Sequence, residues 1–205
     1  MAGRPVDHQR RHELLDAVVD YTVEHGLSEL SWRPVAAGLG VSPTTLVHHF
    51  GTKEHMLQAI LERLRQRMFA ATSDAVGAHP DLATAARAVW IRTSDPRRQA
   101  EFRLFFAVYG RALQAPHQFA DFLDHVVTDW MNSLREDQAP GTDPETATRT
   151  ATLVIATIRG LLLDLLATGD HDRVQDAAES FLSTLELQPW PAQTPAPAKP
   201  PETGR

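Results

Sequence analysis

The sequence predicts an all-α fold: an N-terminal three-helix helix-turn-helix domain followed by a C-terminal bundle of about six longer helices. Three observations carry this. Apolar residues recur at three- and four-residue spacing in nearly every segment, β-branched alternation is missing, and Ser, Thr, Asp, Pro and Gly sit where helices start and stop. The length of 205 residues suits one large domain or a small one joined to a larger one, and 42% hydrophobic residues is too many for a disordered chain.

The elements follow in order. Leu14, Leu15, Val18, Val19 and Thr22 form one stripe, and Gly26 ends that helix. Ser31 is the predicted N-cap of a short helix, in whose first turn Pro34 is tolerated because N–H groups there have no intrahelical partner. Gly40 breaks it, and Ser42-Pro43 restarts the chain as N-cap and first helical residue. Thr52 caps a longer helix from Lys53 to about Asp74, with Met56, Leu57, Ile60, Leu64 and Met68 on one face, ended by Gly77 and Pro80. Further helices are predicted at about 81–93, 96–113 and 116–137, with Pro96 and Pro116 as first helical residues. Asp143-Pro144-Glu145 opens an apolar helix that runs to Gly169, and a last one spans 171–187. From Pro189 onward the Pro/Ala-rich chain reads as a disordered or extended tail. The predicted division is therefore 1–52, 53–188 and a tail at 189–205.

Several function classes are excluded by composition. With no Cys, disulfides, Cys-ligated metals and thiol nucleophiles are absent. No P-loop, G-x-S-x-G, H-E-x-x-H or Glu-x-x-His pair is present. Asp121, Asp124 and His125 form a D-x-x-D-H cluster that reads as a solvated helix face. His48 and His49 are adjacent, and neighbouring helical residues point about 100° apart, so no metal or other cofactor is expected. The densest apolar run, Leu161–Leu166, is interrupted by Asp164 and falls short of the roughly 18 residues of a membrane span. The first residues lack an apolar signal core, so the expectation is a soluble cytoplasmic protein without a membrane partner.

Residues 31–50, SWRPVAAGLGVSPTTLVHHF, have the grammar of a helix-turn-helix. Ala36 is the small residue that permits close approach, and Val35, Leu39, Val41 and Leu46 lock the two helices together. The continuation, GVSPTTLVHHFGTKEHML, resembles the TetR family of bacterial transcriptional regulators, with the match running over about residues 8–57. The resemblance implies a double-stranded DNA operator, with the second helix in the major groove. It assigns Pro43, Thr44, Thr45 and His48 to base edges, Arg33 to a base or phosphate, and His49 and Lys53 to phosphate. Arg33 is the residue here that can contact guanine with two hydrogen bonds. Ser31 and Ser42 can each cap and bind phosphate, and Phe50 is a core anchor. Where the family usually has a Tyr reaching phosphate, this chain has Val47, which weakens the grip unless His48 replaces it.

The formal net charge of -6 counts against nucleic acid until it is divided by region. Residues 1–54 hold five basic and seven acidic residues, yet Leu30–Lys53 carries two cations and no acid. The acids of the first helix are expected on its outer face. Few cations on the motif predict a shallow salt dependence and little affinity for random sequence.

A bundle after such a motif serves dimerisation, because two-fold dimers read two half-sites of a palindromic operator. The helix at 143–169 is apolar around more of its circumference than one core face needs. Ile158, Gly160, Leu161 and Leu165, with Phe181 of the last helix, are the predicted homodimer contacts. Arg159 and Asp164 interrupt it and are expected to pair elsewhere. The resemblance also implies a pocket among the middle helices for a small effector. Trp90, Phe106, Tyr109 and Trp130 are the predicted lining, and the effector a largely apolar molecule. The leading function is an effector-released repressor. The alternatives are an enzyme on a helical bundle, or a helical adaptor with a degenerate DNA-binding head.

Overall fold

The computed structural model describes residues 8–76, 81–136, 138 and 141–187, and these form α-helices and short 3₁₀ turns without a strand. The predicted tail and Arg4 lie outside the described residues, whereas Arg10 and Arg11 fall within the first helix. Helix α1 spans His8–His25, α2 Trp32–Leu39, α3 Pro43–Phe50 and α4 Lys53–Val76. The bundle continues with α5 Leu82–Thr93, α6 Gln99–Gln114, α7 Ala120–Glu136, α8 Pro144–Thr168 and α9 His171–Leu187.

Several helix starts carry a side-chain cap. The Asp81 side chain accepts the Thr84 N–H, Asp143 that of Thr146, and Thr52 that of His55. Pro96 and Pro116 do not open α-helices. Each begins a 3₁₀ turn, Pro96–Arg98 and Pro116–Gln118, and the α-helices start later, at Gln99 and Ala120. At Pro96 the cause is local: the Asp95 carboxylate accepts the N–H of Arg97, two residues on, which closes a tighter turn than an α-helix has.

Helix α4 is the spine. It packs on α1 and α3 on one side and on α5, α6 and α7 on the other, so a single apolar core runs from Val18 and Leu46 through Ile60 and Leu64 to Leu182. Close approach within the head is made by a residue the sequence did not single out. A methyl group on Gly38 would lie 2.3 Å from Cε2 of Tyr21, so α2 meets α1 only because Gly38 has no side chain. Ala36, expected to let α2 and α3 approach, is buried.

Helix α8 corrects one expectation. By length and composition alone it is long and apolar enough to cross a membrane. In this fold it packs on α6, α7 and α9, with Val154, Ile155, Ile158 and Leu162 in the core.

Candidate nucleic-acid interface and bundle cavity

The turn between α2 and α3 is set by Gly40, whose φ of +65 places it in the left-handed region that glycine adopts without strain. The Val41 N–H then donates to the Ala36 carbonyl at 3.0 Å, and Ser42 starts the next helix. The Ser42 hydroxyl accepts the Thr45 N–H at 3.1 Å and lies 2.8 Å from the Thr45 hydroxyl. Those two hydroxyls hold each other, and Pro43, Thr44, Val47 and His48 are the exposed residues of α3.

Ser31 stands at the N-cap of α2 with extended backbone, but its side chain makes no capping hydrogen bond. Of the N–H groups a capping oxygen can reach, at the second and third helical residues, Pro34 removes the third and leaves only that of Arg33. Ser31 instead lines an open cleft with Trp32, Arg33 and Pro34 of α2 and Pro43, Thr44 and Val47 of α3. Arg33, Pro43 and Thr44 thus converge on one surface, with Ser42 and His48 exposed beside it and Lys53 exposed at the start of α4. Thr45 and His49 are half-buried, and the His49 ring stands edge-on to His48 at 5.4 Å. Val47, 43% exposed, puts an apolar patch in the cleft. Trp32 was not singled out by sequence, because a half-buried aromatic in a short helix reads as core.

The acids of α1 lie mostly outward as expected, with Glu13, Asp20 and Glu24 exposed, while Asp16 is half-buried and turned toward α4. Asp16 accepts Arg63 through Nε at 2.6 Å and Nη2 at 2.8 Å, and Arg67 Nη2 at 2.7 Å, while Arg67 Nη1 reaches Asp20 at 2.5 Å. Hydrogen bonding to Arg63 leads the effects that hold the Asp16 carboxyl at about 2, against an opposing effect of partial burial. Two acids of the head are therefore matched by cations of the bundle's first helix.

Within the bundle, α6, α7 and α8 line a small, partly open cavity of about 50 Å³ together with Met68 and residues of α5. Phe102, Phe105, Phe106, Trp130, Ile158 and Arg159 give its character. Two predicted lining residues, Phe106 and Trp130, are there; Trp90 and Tyr109 are not. Trp90 is 1% exposed and belongs to the α5–α9 interface, where its Nε1–H donates to Gln175 at 2.9 Å. Tyr109 packs against the cavity wall, its ring tilted to Phe105 at 5.8 Å and edge-on to Phe122 at 5.9 Å.

Arg159 and Asp164 part ways. Asp164 receives two hydrogen bonds from Arg173 of α9, both 2.8 Å. Arg159 points inward, donates to the Val126 carbonyl of α7, and lies 5.9 and 5.8 Å from the Phe105 and Tyr109 ring centres. Burial pushes its pKa down from the ordinary value.

Two of the five predicted dimer contacts need correction as well. Ile158 and Leu165 are 5% and 2% exposed in the single chain, so their apolar surface is already covered by their own protomer. Leu161 and Phe181 are half-buried, and Gly160 is exposed with nothing within 4 Å of where a Cβ would stand. The uncovered apolar side of α8 is one that the sequence left unassigned: Leu153 and Leu163, 57% and 51% exposed, flank Gly160 at helical spacing. The D-x-x-D-H residues Asp121, Asp124 and His125 are exposed, and the described residues contain no cluster of three or more His, Cys, Asp or Glu able to hold a metal.

Residues 14–60 match the model of the bacterial regulatory proteins of the tetR family. Over 69 residues the chain is 35% identical to the HTH-type transcriptional repressor KstR2 of Mycobacterium tuberculosis, a stretch that is 34% of each protein. It thus aligns with about a third of the length of that curated relative. Along nearly its whole described length it is similar to a transcriptional regulator from Rhodococcus sp. Rha1, with a TM-score of 0.73, 27% identity, and 85% of this chain and 95% of that chain covered. The multidrug binding protein EbrR, solved with imidazole, shares the fold at 24% identity and a TM-score of 0.66, with 94% of each chain covered.

Proposed function

We propose that this chain, whose N-terminal module is that of the TetR family of bacterial regulatory proteins, is a transcriptional repressor. It binds a palindromic operator as a homodimer and is released when a small molecule enters the bundle. The observation that carries this is the outward face of α2, α3 and the start of α4. Arg33, Pro43 and Thr44 line one cleft, His48 and Lys53 are exposed, and no acidic residue lies between Leu30 and Lys53. The repressor relative supports the sign of regulation, and the cavity supports an effector.

Arg33 and Lys53 have different jobs in this reading. Arg33 reads a base, so Arg33→Ala costs about 1–3 kcal/mol on the operator and relaxes sequence preference. Lys53 meets phosphate at a helix N-terminus, so Lys53→Ala weakens operator and random DNA alike. Fluorescence anisotropy on DNA upstream of the chain's own gene, against scrambled DNA over a range of salt, measures both. If the two variants lose affinity equally on both DNAs, this division of roles is wrong.

Dimerisation is assigned to the exposed side of α8, through Leu153, Gly160 and Leu163, together with α9. A charge there has no partner and must be desolvated on association. Leu163→Glu is expected to shift the protein from dimer to monomer in sedimentation velocity at micromolar concentration. It is expected to leave the helical circular dichroism spectrum intact, because Leu163 is half exposed. A variant that stays dimeric places the interface elsewhere.

A further inference from the structure

We propose that the bundle cavity takes a small organic monocarboxylate, an apolar ring or short chain whose carboxylate is gripped by Arg159. This rests on the reading of the cavity as the effector site and adds the chemical class of the effector. Arg159 is the one charged residue among those lining the cavity. Around it the walls are aromatic and aliphatic, and the Thr93 hydroxyl is already committed to the Val89 and Trp90 carbonyls.

The guanidinium is mostly buried, yet among the described residues no carboxylate lies within ion-pair distance of it. The other arginines of the bundle's interfaces behave differently. Arg65 pairs with Glu62 and Asp129, Arg87 with Glu179 and Glu186, and Arg173 with Asp164 and Asp170. Arg159 has a backbone carbonyl, Tyr109 and two ring faces. A guanidinium carries five N–H donors and stays protonated in proteins, so burial cannot be relieved by neutralising it. Its charge and spare donors are best satisfied by an anion that brings two oxygens in one plane, which is the geometry of a carboxylate.

The charge count selects within the anions. A monoanion cancels the single cation of the cavity, whereas a dianionic phosphate would leave one unpaired negative charge among apolar walls. An ammonium would meet a like charge.

Isothermal titration with three molecules that differ only in the head group tests this: 4-phenylbutyrate, 4-phenylbutanol and 4-phenylbutylammonium. Wild-type protein is expected to bind the acid at least tenfold more tightly than the alcohol and to reject the amine. Arg159→Met, which keeps volume but removes the charge, is expected to lower affinity for the acid by about tenfold to a hundredfold, the range of a hydrogen bond to a charged group. Its affinity for the alcohol should change less than its affinity for the acid, because the neutral hydroxyl forms no ion pair with the guanidinium. Arg159→Lys should fall between, keeping charge without the planar fork. If the alcohol binds as well as the acid and Arg159→Met leaves their ratio unchanged, the carboxylate inference fails while the cavity stands as a binding site. If none of the three binds, or all bind equally to a Val154→Trp variant with the cavity filled, the cavity is not the effector site and both readings fall.

Discussion

Replacing Trp90 with Ala is expected to cost about 3–5 kcal/mol of folding stability, the range for emptying a buried aromatic site. Domains of this kind have about 5–15 kcal/mol in total, so the variant should unfold at markedly lower denaturant and partly in the cell. Trp90 is among the largest fully buried side chains in the described structure. It fills the space between α5 and α9, and its Nε1–H holds Gln175 at 2.9 Å. Arg87, one turn earlier on α5, fastens the same interface from outside through Glu179 and Glu186. Trp90→Phe separates packing from hydrogen bonding: it keeps most of the volume and leaves Gln175 without its donor, for about 0.5–1.5 kcal/mol. Urea titrations of the three proteins give the comparison. Trp90→Phe should also leave affinity for a cavity ligand unchanged, because this side chain faces α9 and not the cavity. A Trp90→Ala protein of wild-type stability would mean that the α5–α9 packing is not as described.

The error over Trp90 shows what the sequence could and could not reveal. Helices were legible because their ends are chemical events. Asp81, Asp143, Ser42 and Thr52 have side chains that reach a first-turn N–H, and Gly40 and Gly169 adopt a left-handed conformation that other residues avoid. Ser31 had the right identity and the right place, but Pro34 removes one of the two N–H groups it could have capped. Which helix a given face meets is not a local event. Trp90 and Phe106 look alike in their helical stripes, and only the three-dimensional arrangement sends one to α9 and the other to the cavity. Helix α8 poses the same difficulty in sharper form: it is apolar on nearly all sides, so Ile158 and Leu163 are indistinguishable by pattern, although one is 5% and the other 51% exposed. Periodicity identifies a surface that must be covered. It does not say whether the cover is the same chain or another.

The DNA-facing residues were more legible, because a helix-turn-helix confines them to a few positions near the start of a short helix. Arg33, Pro43 and Thr44 were named from sequence and share one cleft. Gly38 was missed, although glycine inside an eight-residue helix is unfavourable by about 1 kcal/mol against alanine and so asks for a reason. The reason is the Tyr21 ring.

Asp16→Asn is expected to destabilise the protein by about 1–2 kcal/mol near neutral pH and to do so by loosening the head from the bundle. The substitution keeps shape and removes the charge that both Arg63 and Arg67 address, leaving two guanidiniums side by side on α4. The pH dependence follows from the sign of the shift. The carboxyl titrates at about 2 in the folded chain against an ordinary value of 3.8. Its contribution is therefore fully present above about pH 4 and disappears as pH falls through about 2, because the unfolded chain takes up the proton first. With the side chains of Asp16 and Arg63 each 32% exposed, solvent screening reduces what the full shift implies to about 1 kcal/mol. Thermal unfolding of wild type and Asp16→Asn at intervals from pH 6 to pH 2 should show two curves that run parallel above pH 4 and converge below it. The other low-titrating carboxylates, Glu62, Asp95, Asp143 and Asp164, act on both proteins and cancel in the difference. A double-mutant cycle with Arg67→Met isolates the bond itself, and a coupling of about 1 kcal/mol is expected for a partly buried pair with shared hydrogen bonds. Parallel curves down to pH 2, or no coupling, would show that Asp16 is solvated and that packing alone joins the head to α4. The same measurements decide how the charge of the head is to be counted. If Asp16 and Asp20 are held by α4, the surface that α2 and α3 turn outward is more positive than the total for residues 1–54, and the chain's acidity is no obstacle to DNA.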